Sequence, residues 1–73
     1  GRGRGWDESG AIAAYRRSLA KDPAQFQVWN ALGMAIGRKG DLAGAAACFE
    51  SALKLEPDYE TARRNLEAVK GRR

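Results

Sequence analysis

Few residues in this 73-residue chain are of types that carry chemistry. There is a single cysteine, Cys48, and there is no histidine. A thiol needs a neighbouring base to become a nucleophile, and imidazole is the usual one. Cys48 sits between Ala47 and Phe49. That setting suits a small buried residue better than a reactive one. The acidic residues are scattered singly, and the pair Glu56 and Asp58 brackets Pro57 at a break in the pattern. Helix capping and solvated helix faces account for them without a calcium loop. Gly1, Gly3 and Gly5 follow no strand, so they do not form a phosphate-cradling turn. No catalytic, cofactor-binding or metal-ligating residue is assigned, and the chain reads as a non-enzyme with no cofactor.

The net charge of +4 at pH 7 first suggests a nucleic-acid partner. Its distribution argues otherwise. Arg2, Arg4, Lys70, Arg72 and Arg73 lie at the two ends. Residues 5–69 hold eight basic and nine acidic side chains, a net of −1. The basic ends, about 1–5 and 71–73, are expected to be flexible. The Gly-Arg repeats at residues 1–5 read as a solubilising end or as an arm for RNA phosphates. No apolar run approaches the roughly 20 residues of a membrane span. No signal-like apolar stretch occurs in residues 1–10, and the expected compartment is the cytoplasm.

The elements that must position any site are helical. Apolar residues recur at spacings of three and four throughout. Ala11, Ile12, Tyr15 and Leu19 mark a helix over 7–21. Phe26, Trp29, Leu32, Gly33 and Ile36 mark one over 24–38. Leu42, Ala45, Ala46, Phe49, Ala52 and Leu53 mark a third over 41–55. Tyr59, Ala62, Leu66 and Val69 mark a fourth over 58–70. Breaks fall at Asp22-Pro23, Lys39-Gly40-Asp41 and Glu56-Pro57. Asp22, Asp41 and Asp58 are the expected N-caps, and Gly40 the expected left-handed C-terminal residue. The fold class is all-α, with about four helices in antiparallel hairpins forming one domain over 1–73.

The chain also repeats itself at an offset of 34 residues. Gly10, Ala11, Ala13, Leu19 and Pro23 recur as Gly44, Ala45, Ala47, Leu53 and Pro57. Trp29-x2-Leu32-Gly33-x2-Ile36, then Ala45-x3-Phe49, then Pro57, resembles the tetratricopeptide repeat, with Ile36 where tyrosine is usual. One complete repeat covers residues 26–59. Residues 10–25 look like the second helix of a preceding repeat, and 60–71 like a terminal capping helix. About three repeats are expected for independent stability, so the chain reads as a piece of a longer array or as one partner of a pair.

The resemblance implies a protein-interaction or scaffold module. It places Gln27, Asn30, Met34 and Arg38, with Thr61, Arg64 and Ala68, on the concave face that holds an extended peptide. Asn30 would bond the peptide backbone, and Arg38 with Arg64 would hold a carboxylate. The clamp for chaperone C-terminal tails is not matched, because Ala31 and Thr61 stand where Asn and Lys would be needed. Two alternatives remain at this level. An apolar face of the first helix, Ile12, Tyr15 and Leu19, would pair with another copy to give a homodimer. The basic ends would bind RNA or another acidic partner. The expected partner is a protein or peptide rather than nucleic acid or membrane.

Overall fold

In the computed structural model, residues 8–71 are described, those of Glu8 and Ser9 by backbone alone. They fold as four helices: α1 (Glu8–Lys21), α2 (Phe26–Arg38), α3 (Leu42–Leu55) and α4 (Glu60–Gly71). Successive helices form antiparallel hairpins, and α4 also rests against α2. The Gly-Arg arm and Trp6, like Arg72 and Arg73, lie outside the described residues. Gly71, expected in a flexible end, is the last residue of α4.

The turn between α2 and α3 is built as Gly40 requires. Its φ of +99° is a conformation that L side chains rarely adopt. The Gly40 N–H donates to the Gly37 carbonyl at 3.0 Å, and the Asp41 N–H to the Ile36 carbonyl at 3.2 Å. This pair of bonds closes the α2 C-terminus as a Schellman motif. Asp41 then caps α3, its Oδ1 accepting from the Gly44 N–H at 2.9 Å.

The two proline turns differ from expectation. Asp22 does not cap α2. Its Oδ1 accepts from the Ala24 N–H at 3.1 Å, two residues on, which makes an Asx turn ahead of the helix. Helix α2 starts at Phe26, behind Gln25. The Gln25 amide donates to the Ser18 carbonyl at 2.9 Å and to the Asp22 carbonyl at 2.8 Å, tying the turn to the end of α1. In the same way α4 starts at Glu60, so Asp58 lies in the turn rather than at the cap. Helix α2 thus begins three residues later than a cap at Asp22 implies, and α4 one residue later than a cap at Asp58 implies.

The core lies where α2, α3 and α4 meet. Phe49 is 2% exposed and fills it, with Leu32, Ile36 and Val69 around it. Burying a side chain of that size contributes about 1.5–3 kcal/mol. Small residues let the helices approach. Ala45, Ala52 and Ala62 are fully buried. A Cβ built on Gly33 would meet the Phe49 ring at 2.6 Å and the Ala45 carbonyl at 3.1 Å. Gly33 is therefore a packing requirement: any side chain there must displace Phe49 or α3.

Candidate functional site: a groove between α2 and α4

Helices α2 and α4 lie side by side, and the strip between them is a shallow groove of about 280 Å³. Gly33, Met34, Gly37 and Arg38 line it from α2, and Asn65, Ala68 and Val69 from α4, with Phe49 at its floor. Small residues make the groove. Gly33 and Gly37 thin one wall, and Ala68 thins the other. Met34 is 40% exposed, an apolar and adaptable side chain offered to the groove. Arg38 supplies charge near its end.

Of the face expected from the sequence, Met34, Arg38 and Ala68 are brought together here. Gln27, Thr61 and Arg64 are exposed and do not line this groove. Arg64 Nε lies 3.5 Å from Glu60 Oε2 on its own helix, an exposed pair of small energetic weight.

Asn30 is placed differently from the expectation. It is 6% exposed. Its Oδ1 accepts from Asn65 Nδ2 at 2.9 Å, across from α2 to α4. Its own Nδ2 reaches the Met34 sulfur at 3.7 Å. Asn30 is thus engaged within the chain, with Asn65 and Met34. By holding the Asn65 Nδ2, it leaves the Asn65 carbonyl oxygen as the available acceptor in the groove wall. Sequence reading missed Asn65. The signal available was its position one residue after Arg64, facing the α2 asparagine 35 residues earlier.

Leu19, Tyr15 and Ile12 also have their packing inside the chain. Leu19 is buried against α2, and Ile12 and Tyr15 pack partly buried on the same core. Helix α1 is nonetheless only half-covered. Ala11, Tyr15 and Ser18 are half-buried, whereas Ala45, Phe49 and Ala52, 34 residues on, are buried. The difference is that α3 is packed by both α2 and α4, whereas among the described elements α1 is packed by α2 alone.

Cys48 is buried, as its setting implied. Burial pushes its thiol above the ordinary range, Arg16 pulls it down, and Asp41 adds to the rise. The net effect is upward, so the thiol is protonated at neutral pH. Among the described residues no group of three or more acidic or cysteine side chains is placed to hold a metal ion. Among them, too, no helix is long and apolar enough to cross a membrane.

Residues 26–59 match the family profile described as Tetratricopeptide repeat. The complete hairpin α2–α3 with its following turn is therefore a tetratricopeptide repeat, flanked by one helix on each side. Over 58 residues, 80% of its length, the chain is 36% identical to Protein FlbA of Caulobacter vibrioides. It spans 10% of that protein's length. Proteins built on this repeat generally serve in protein–protein interaction, and that general role fits a chain with this hairpin.

Proposed function

We propose that this chain is a non-catalytic interaction module that holds an extended segment of a partner protein in the groove between α2 and α4. The observation that carries the reading is the Asn30–Asn65 bond, which orients one amide toward the groove. Asn65 Oδ1 would accept a backbone N–H of the peptide, and Arg38 would pair with a carboxylate near one end. Met34 and the thin Gly33–Gly37 wall would take an apolar side chain.

A peptide selected on this chain from a random displayed library tests the reading. Ala68→Arg fills the groove from α4 without touching the core, and Arg38→Glu inverts its charge. Both variants should weaken the peptide at least roughly tenfold, the scale of one lost charged or packed contact. Selected peptides that bind both variants as well as the parent would place the interaction elsewhere.

A further inference from the structure

The other side of α2 carries a second recess. Helices α1 and α3 both pack on α2, yet no Cα of α1 comes within 8 Å of one in α3. The gap between them is a cleft of about 440 Å³ that continues into one of about 390 Å³, with Arg16, Ile36 and Asp41 common to both. Leu19, Leu32 and Ile36 make its floor apolar, with Trp29 at one end and Ile12 at the other.

The rim carries two cations and one carboxylate, an excess of positive charge. Arg16 stands on the α1 side and Lys39 on the α2–α3 turn. Asp41 is the only acidic residue lining the cleft, and its Oδ1 is engaged by the Gly44 N–H at the positive end of α3. The basic rim belongs to this cleft and not to the repeat as such, because 34 residues on from Arg16 stands Glu50.

We propose that this cleft docks an acidic amphipathic helix of a partner protein, with apolar side chains on the floor and carboxylates against Arg16 and Lys39. A gap bounded by two helices over a third is shaped for a helix, and the apolar floor with a cationic rim sets its chemistry. This surface is separate from the α2–α4 groove and does not depend on it.

The probe is an acetylated, amidated 15-residue helical peptide with leucines at three- and four-residue spacing flanked by glutamates. Its counterpart carries lysine for every glutamate. Nuclear magnetic resonance titration of the 73-residue chain should shift the amide signals of Ile12, Arg16, Ile36 and Cys48. Arg16→Glu should weaken binding roughly tenfold or more, and Arg16→Gln less. Both substitutions are at an exposed position, and circular dichroism checks that the helices remain. The lysine peptide should bind more weakly, and Ala68→Arg on the opposite groove should change nothing. Three results overturn the proposal: no shifts at millimolar peptide, shifts centred on Met34 and Ala68, or equal affinity in Arg16→Glu. Binding that appears only after residues 1–7 are deleted overturns it too, because the cleft would then belong to that segment.

Discussion

The indole Nε1 of Trp29 donates to the carbonyl of Pro23 at 2.8 Å, fastening the first turn of α2 to the proline turn before it. The same bond recurs one repeat later with a different donor, as Arg63 Nη2 donates to the Pro57 carbonyl at 3.3 Å. Tryptophan at this place therefore fills space beside α3 and also pins the turn. Arginine keeps the second task alone. Replacing Trp29 by Phe should retain most of the packing and lose the bond. The expected loss is about 0.5–1.5 kcal/mol in urea unfolding. A midpoint identical to the parent would show that the turn holds without it.

Gly33 and Ala45 lie where α2 and α3 approach closely, a Cβ on Gly33 falling 3.1 Å from the Ala45 carbonyl. Gly33→Ala forces a methyl into the space held by the Phe49 ring, and Ala45→Leu forces a larger group into a fully buried position. Each should cost roughly 1–3 kcal/mol by overpacking. Thermal melts read this directly, and an unchanged melt for both would contradict the packing described here.

Much of this fold was legible in the sequence because its rules are local. The three- and four-residue spacing marks helices, Gly40 marks a left-handed stop, and Asp41 marks a cap, all within one or two turns of chain. The 34-residue recurrence and the Trp29 to Pro57 pattern then identify the hairpin. What was not legible depends on neighbours distant in sequence. Asn30 lies on the expected face, yet α4 roofs that face at this point, and Asn65 reaches across to it. Ile12, Tyr15 and Leu19 form an apolar stripe whose partner, within the chain or outside it, periodicity alone does not name. The start of α2 was misplaced because Asp22 has a nearer use, in the proline turn, than capping.

Asn30 gives a prediction that a solvent-facing asparagine would not. Asn30→Asp puts a carboxylate at a buried site and turns the Nδ2 donor toward Met34 into an acceptor. Burial should raise the pKa of that carboxyl, since the charged form loses hydration. The variant should be destabilised at neutral pH and regain stability as pH falls through the raised value. Urea midpoints at pH 4 and pH 7 check it, and equal losses at the two would contradict the burial.

The Cys48 thiol should react slowly. Its raised pKa keeps it protonated in the folded state, and its burial excludes reagent. A thiol-disulfide dye at pH 8 should modify it much faster in denaturant than in buffer. The same shift makes a small contribution to stability, present below the unfolded thiol's pKa and lost as pH rises through the folded value. Rapid labelling of the native chain would contradict the buried placement.

Asp41→Ala removes the α3 cap and should cost about 0.5–2 kcal/mol, with Asp41→Asn recovering most of it. Chemical unfolding of the two variants separates the capping bond from the charge.

The account turns on the groove between α2 and α4, and the most direct test is to see where a bound peptide lies. Amide signals of the chain, followed by nuclear magnetic resonance as a library-selected peptide is added, give that map. The account predicts that the largest shifts fall on Met34, Arg38, Asn65 and Ala68, and that the Asn65 side-chain amide moves with them. Shifts confined to the outer surface of α3, around Ala47 and Glu50, would contradict it.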